Sequence, residues 1–169
     1  HKTAMKLDIL AISAHPDDVE VSAGGTLLQH IAAGKKVGLL DLTKAELSTR
    51  GNVEQRATEA SKAADILGAV LRDQLNLPDG FFSIDQPTLL KVIAKIRQYQ
   101  PELILANSVD DRHPDHQRAA NLIEQAVFLS NLIKIETLDE SGARQLPWRT
   151  KAVYHYVQDR TCQPDFVVD

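Results

Sequence analysis

Residues 7–20 of the chain read LDILAISAHPDDVE. The apolar run at 7–13 predicts a short buried strand, and one histidine and two aspartates follow it within four positions. A second cluster, DDRHPDH over residues 110–116, comes shortly after another apolar run at 103–106. Two His-Pro-Asp clusters, each placed just past the end of a strand, are what a hydrolytic metal site needs.

Strand and helix patterns alternate along the rest of the chain. Strands are predicted at 7–13, 36–42, 70–75, 102–106, 132–137 and 152–157. Helices are predicted at 27–33, 53–67, 87–99 and 114–129. Regular βαβα order with short connections predicts a Rossmann-like three-layer α/β sandwich, in which helices cover both faces of a mostly parallel sheet. Ligands gather at the carboxyl ends of the strands in such sheets, and we expect both clusters to meet there.

The composition limits the classes of protein to consider. The 169 residues carry a net charge of −4, which gives no indication of binding to nucleic acid or to a membrane surface. No apolar stretch approaches the ~20 residues that span a bilayer, and no signal-peptide pattern opens the chain. The single cysteine, Cys162, fits a reducing compartment, so we expect a cytoplasmic location. Residues 1–4 are interpreted as a tag or cloning remnant, and 5–169 as one domain.

The first cluster has the chemistry of a metal site. Pro16 disfavours helical geometry at His15, so the chain leaves the strand extended before it turns. After such a turn His15 and Asp18 can face one point, and an imidazole with a carboxylate suits Zn²⁺ or another first-row metal. Asp17 is then left free to accept a proton from water.

The second cluster supplies further candidate groups. Pro114 predicts the start of a helix, with His113 near its N-cap and His116 in its first turn. His116 completes a His-Asp-His set that leaves coordination positions open, as in catalytic zinc sites. His113 would stand nearby without ligating the metal. The metal and the helix N-terminus disfavour its protonation whereas Asp115 favours it, and the sequence leaves that balance open.

Other interpretations of these residues remain open. A single His-Pro-Asp after a strand is commonly a loop or a helix cap. Four aspartates, at 17, 18, 110 and 111, are also compatible with a dinuclear phosphoesterase. A sugar- or nucleotide-binding module without catalysis is a third interpretation. Gly24-Gly25 lacks the G-x-G-x-x-G spacing of a dinucleotide site, and these glycines are interpreted as allowing close packing at a helix start.

At these residues the chain resembles the PIG-L (LmbE-like) family of zinc-dependent N-acetylglucosaminide deacetylases. The family's AHPDDE-like motif matches AHPDDVE at 14–20, with one residue inserted before the glutamate. The insertion is shared with the branch that acts in bacillithiol biosynthesis. Further matches to that branch are LDLTKAELSTRG at 40–51, VEQR at 53–56 and DRHPDH at 111–116.

The resemblance implies roles for individual residues. It implies that a metal, Zn²⁺ or else Fe²⁺ or another divalent ion, is bound by His15, Asp18 and His116. Asp17 would be the general base. His113, oriented by Asp115, would stabilise the oxyanion or assist as an acid. The side chains implied in substrate binding are those of Arg56, Glu46 and Arg112.

The resemblance also implies a substrate and an extent for the domain. The implied substrate is a small N-acetyl sugar, N-acetylglucosaminyl malate in this branch, and homo-oligomerisation is left open. Members of the branch usually continue for some tens of residues beyond the point that matches 166–169. We therefore expect this chain to lack the family's C-terminal segment.

Overall fold

The structure, a computed structural model, describes residues 5–169 as a five-stranded sheet with helices on both faces. The strands are β1 (Ile9–Ser13), β2 (Val37–Thr43), β3 (Leu71–Leu77), β4 (Leu103–Ala106) and β5 (Ala152–His155). The helices are α1 (Asp18–Ala32), α2 (Val53–Leu67), α3 (Gln86–Tyr99) and α4 (Pro114–Ser130). The interpretation of residues 1–4 as a tag lies outside the described residues.

The five strands are all parallel to their neighbours, in the order β3-β2-β1-β4-β5. Alternate residues of β1 face opposite layers, as the pleat of a strand requires. Leu10 and Ile12 belong to the core that is shared with α3 and α4, whereas Ile9 and Ala11 pack with α1 and α2. The predicted three-layer α/β sandwich is therefore confirmed.

The order of the strands decides where the two polar clusters lie. β1 pairs directly with β4, from Ile9 opposite Leu103 to Ala11 opposite Leu105. The loops that leave the carboxyl ends of these two strands are consequently neighbours, although about a hundred residues of chain separate them. One loop carries the first cluster and the other carries the second, as the sequence predicted.

The predicted helix boundaries hold well except at α1. The bounds of α2 agree with the prediction, and its N-terminus carries a reciprocal capping box between Asn52 and Gln55. α1, in contrast, begins at Asp18 inside the first cluster rather than at residue 27. Gly24 and Gly25 therefore lie within the helix, and a Cβ added at either meets no atom within 4 Å. The expected close packing at these glycines is wrong.

Within residues 5–169, no helix has both the length and the apolar character needed to cross a membrane.

The strand predicted at 132–137 is wrong. This segment forms turns, and two of its carbonyls accept hydrogen bonds from the guanidinium of Arg97 on α3. Arg97 is buried and donates to the carbonyls of Ser130, Leu132 and Ile135 and to the hydroxyl of Thr137 at 2.8–3.1 Å. Because Arg97 and local backbone bonds together satisfy the acceptors of this segment, it needs no partner strand.

Replacing Arg97 by Leu is expected to lower the free energy of unfolding by about 3 kcal/mol, since it removes the four hydrogen bonds that this buried, charged side chain donates. Urea unfolding of the full chain measures the change. The matched control is Arg149→Leu, because Arg149 is exposed, and it is expected to change stability by less than about 0.5 kcal/mol. Equal effects of the two variants would contradict this role of Arg97.

Candidate metal centre

The predicted ligand set comes together at the carboxyl edge of the sheet. Asp18, the first residue of α1, is buried between two imidazoles. Its carboxylate oxygens lie 3.6 Å from Nδ1 of His15 and 3.2 Å from Nε2 of His116. The backbone N–H of His15 also donates to Asp18 at 3.0 Å, so the turn between strand and helix orients the carboxylate.

The charges of this cluster favour a cation. Burial lowers the pKa of His15, but Asp18, Asp79 and Asp115 outweigh it and raise the pKa to about 9. Burial likewise lowers the pKa of His116, and Asp18 and Asp111 raise it overall. Burial raises the pKa of Asp18, and the two imidazoles lower it well below the usual range. Buried carboxylates thus outnumber the cations that face them, which suits a bound metal ion.

The donor atoms also fit a first-row metal. Two imidazoles and one carboxylate are the ligand types of catalytic zinc sites. Oδ2 of Asp111 is buried beside His116 with no hydrogen-bond partner in the described residues. Oδ1 of the same carboxylate lies 3.2 Å from Nδ1 of His116, without hydrogen-bond geometry. The residues present would therefore hold a divalent cation, with His15, Asp18 and His116 as ligands and Asp111 behind the second imidazole.

Asn107 is a residue of this centre that the sequence analysis missed. It is fully buried at the end of β4, where its side-chain N–H donates to Asp18 at 3.1 Å and its oxygen accepts from the N–H of Ala14 at 2.9 Å. The amide therefore connects the two cluster-bearing loops and orients the central carboxylate. A polar residue directly after an apolar strand was the available signal.

Asp79 is a second missed residue. It follows β3 in a Pro-Asp-Gly turn, and its Oδ1 lies 3.0 Å from Nε2 of His15. Its backbone N–H donates to Glu46 at 2.9 Å. Glu46, expected to bind substrate, is thus in contact with the loop that approaches His15. The turn signature in the sequence indicated a loop, but nothing in it indicated the imidazole.

Asp17 and Arg56 occupy the exposed side of the centre. Asp17 is the N-cap of α1, but its side chain makes no capping hydrogen bond and is 55% exposed. Partial burial and the neighbouring Asp18 raise the pKa of its carboxyl, against the opposing effect of Arg56. Nη1 of Arg56 lies 3.7 Å from Asp17. The structure therefore leaves this carboxylate accessible and places a cation beside it.

His113 stacks on the imidazole of His116 and meets that of His15 edge to face. Its ring centroid is 4.8 Å from those of His15 and His116. Burial and these two neighbouring rings lower its pKa. Nδ1 of His113 accepts a hydrogen bond from the backbone N–H of Asp115 at 3.2 Å, so the proton of the neutral ring lies on Nε2. His113 can then donate from Nε2.

The carboxylate of Asp115 does not bond the ring of His113, which it was expected to orient. The resemblance implied that it orients His113, but it bonds His15 Nε2 at 3.1 Å, the N–H of Gly80 at 2.8 Å and the guanidinium of Arg118. Only the backbone of Asp115 orients His113. The position of Asp115 in the first turn of α4 points its side chain toward the β3–α3 loop instead.

Arg112 is not among the side chains that meet at the centre. Its side chain is 77% exposed and forms an ion pair with Asp159 at 3.0 Å. Asp110, two positions earlier in the chain, is likewise exposed and forms an ion pair with Arg160 at 2.7 Å. The second cluster thus divides into an outer pair of residues and an inner group that reaches the metal centre.

Comparison with known proteins agrees with this geometry. Residues 10–127 match the family described as PIG-L: GlcNAc-PI de-N-acetylase. The chain belongs to the PIG-L family. Among PIG-L relatives, the diacetylchitobiose deacetylase of Thermococcus kodakarensis is 28% identical over 95% of this chain and 62% of its own length. The 4-oxalmesaconate hydratase of Pseudomonas putida is 29% identical over 72% of this chain and 52% of its own length.

Solved structures show the same PIG-L fold. The conserved protein TT1542 from Thermus thermophilus superposes with a TM-score of 0.87 at 36% identity, over 95% of this chain and 70% of that one. The N,N'-diacetylchitobiose deacetylase of Pyrococcus horikoshii superposes with a TM-score of 0.81 at 23% identity, over 95% and 63% of the two chains. This chain therefore spans only part of the length of its curated relatives, 62% and 52% of the two above.

Proposed function

We propose that this protein is a metal-dependent N-deacetylase that hydrolyses the acetamide of an N-acetylglucosaminide. The observation that carries the proposal is one carboxylate, Asp18, held between two imidazoles with a second, exposed carboxylate at the adjacent position. The first carboxylate can bind a metal while the second, Asp17, can accept a proton. The family and the deacetylase among its relatives support the same reaction.

The chain's own groups account for the remaining steps. A divalent metal held by His15, Asp18 and His116 would supply a Lewis acid for the acetyl carbonyl and would lower the pKa of water to about 7. Asp17 takes the proton of the attacking water and returns it to the departing amine. Nε2–H of His113 donates to the oxyanion that forms on the former carbonyl oxygen. Acetate and a free amino sugar are the products.

The substrate we propose is N-acetylglucosaminyl malate, or another small N-acetylglucosaminide. The motifs at 14–20 and 40–51 support the first, because they resemble the bacillithiol-biosynthesis branch. Arg56 supports it as well, since a cation beside Asp17 suits a substrate that carries carboxylates. The relatives named above are described as acting on diacetylchitobiose and on 4-oxalmesaconate, so these two relatives differ in substrate and do not select the malate conjugate.

The structure does not favour a dinuclear phosphoesterase. Of the four aspartates in that interpretation, Asp17 faces Arg56 and Asp110 faces Arg160, and both side chains are more than half exposed. The hydratase among the relatives is a more informative rival, because it shows that this fold also hosts the addition of water to a different kind of substrate.

One assay tests the proposal. The full chain, loaded with zinc, is incubated with N-acetylglucosaminyl malate, with diacetylchitobiose and with an N-acetylglucosaminyl inositol, and released acetate is measured. We expect turnover of the malate conjugate that stops on chelation and returns with added zinc. Turnover of another member of the panel would support the deacetylase and correct its substrate. No acetate from any of them, with hydration of 4-oxalmesaconate instead, would overturn the proposal.

A further inference from the structure

We propose that Asp79 is a positioning residue that fixes the imidazole of His15 for metal binding, and that Glu46 acts through Asp79 rather than on the substrate. The proposal rests on the metal centre of the proposed function, but not on its reaction or substrate. It concerns a residue from the loop after β3, a strand that is two places away from β1 in the sheet.

Asp79 joins three loops at the carboxyl edge of the sheet. Its own loop follows β3, and its Oδ1 reaches His15 in the β1–α1 loop at 3.0 Å. Oδ2 accepts from the N–H of Leu47 in the β2–α2 loop at 2.9 Å. The backbone N–H of Asp79 donates to Glu46 in that same loop at 2.9 Å. Asp79 is 7% exposed and its contact with His15 is buried, whereas the two contacts with the β2–α2 loop are partly buried.

The negative charge of Asp79 is directed at His15. Asp115 also contacts Nε2 of this imidazole, but its charge is shared with Arg118. Within residues 5–169, the side chain of Asp79 forms its ion pair with His15. A buried carboxylate of this kind is stabilised by the imidazole, and it holds the ring in return.

The contact selects which nitrogen of His15 is available to a metal. Nε2 lies 3.0 and 3.1 Å from two carboxylates, and therefore carries the ring proton as their donor. Nδ1 is then the nitrogen left to exchange its proton for a metal, and it is the one that faces Asp18. Carboxylates that bond the second nitrogen of a ligating histidine fix its tautomer and orientation and raise its basicity.

A second cation between Asp79 and Asp115 is the main rival explanation, because these carboxylates and His15 lie close enough to chelate one. Their other contacts argue against it. Two backbone N–H groups and the guanidinium of Arg118 already donate to the two carboxylates. The oxygens are thus satisfied by protein donors, which is the pattern of outer groups that orient a ligand.

The role of Glu46 follows from the same geometry. The residue is exposed, and Oε1 accepts the N–H of Asp79. A glutamine keeps that acceptor, whereas an alanine removes it. If Glu46 instead acted only on the substrate through its charge, the glutamine and alanine variants would have equal zinc affinity.

The experiment measures zinc affinity of the full chain by competition with a chromophoric chelator. Asp79→Asn is expected to weaken zinc binding by about 10–100-fold, because asparagine has one acceptor oxygen for two N–H donors. Asp73→Asn is the matched control: this β3 carboxylate bonds Tyr99 and Lys95 away from the centre, and we expect unchanged affinity. Glu46→Gln is expected to bind like wild type, and Glu46→Ala several-fold more weakly.

Several outcomes would overturn the proposal. Zinc affinity of Asp79→Asn within twofold of wild type removes the role of Asp79. Equal losses in Glu46→Gln and Glu46→Ala remove the role of Glu46. A wild-type chain that binds two zinc ions, one of which is lost with Asp79→Asn, supports the second cation instead. A wild type that binds no zinc removes the metal centre itself, whereas tight zinc binding with no deacetylation of any substrate overturns the proposed function alone.

A measurement on the wild type avoids any variant that fails to fold. Protein with ¹⁵N-labelled histidine is loaded with ¹¹³Cd, and the couplings show which ring nitrogens bind the metal. We expect one histidine bound through Nδ1, His15, and one through Nε2, His116. Binding of both through Nε2 would overturn the proposal.

Discussion

Asp17→Asn is expected to reduce the rate of deacetylation by about 10²–10⁴-fold, the range that a lost general base typically costs. Zinc affinity is expected to stay within a few-fold of wild type. The physical reason is the separation of roles between adjacent residues. Asp18 is buried between the imidazoles, whereas the side chain of Asp17 is exposed, makes no capping bond and faces Arg56. An amide in its place cannot take the proton of water.

Acetate release at saturating substrate measures the rate, and chelator competition measures the zinc affinity of the same sample. Asp110→Asn is the matched control, because Asp110 is also an exposed aspartate paired with an arginine near the centre. We expect this control to keep most of the activity. Near-normal turnover by Asp17→Asn would show that another group accepts the proton.

Asp18→Asn is expected to weaken zinc binding by at least about 100-fold, more than the 10–100-fold loss typical of groups outside the ligand set. The carboxylate is the one ligand that carries a negative charge, and it lies between the other two. An asparagine keeps the contact with one N–H donor but removes the charge that offsets the metal. Deacetylation should be lost with the metal.

The control for Asp18→Asn is Asp41→Asn, because Asp41 is an equally buried carboxylate that bonds Arg72 and Ser13 instead of the centre. It is expected to reduce the stability of the fold without changing zinc affinity. Thermal unfolding of the metal-free proteins separates the two effects. If Asp18→Asn bound zinc as tightly as Asp41→Asn, Asp18 would not be a ligand.

The local sequence was sufficient for most of the architecture. Alternation of apolar strand runs with helical spacing predicted the three-layer sandwich, and the bounds of α2 could be predicted because its apolar period, its start and its closing Gly68 are all local signals. The prediction was wrong where the local conformation depends on a residue that is distant in the sequence. The run at 132–137 looks like a strand by itself, but its carbonyls are taken by Arg97, about 35 residues earlier in the chain.

The candidate site shows the same limit. The His-Pro-Asp clusters were visible because their chemistry lies within a few positions. Asp79, in a turn, and Asn107, directly after β4, are single polar residues that lie 64 and 93 positions from the residues of the β1–α1 segment that they contact. The position of Asn107 after an apolar strand was a weak signal, and nothing local indicated which partner either residue would contact. The directions of Arg112 and Asp115 were equally hidden, because each depends on a partner from another loop.

Local sequence patterns were enough to predict the alternation of strands and helices up to α4 and the two sets of donor atoms at strand ends. Which of those atoms meet depends on how the strands are ordered in the sheet. The pairing of β1 with β4 places His15 and His116 on either side of Asp18, and the position of β3 brings Asp79 to the far side of His15. The reason is physical: periodicity and capping act over a few residues, whereas a metal centre depends on distances set by the packing of the whole sheet.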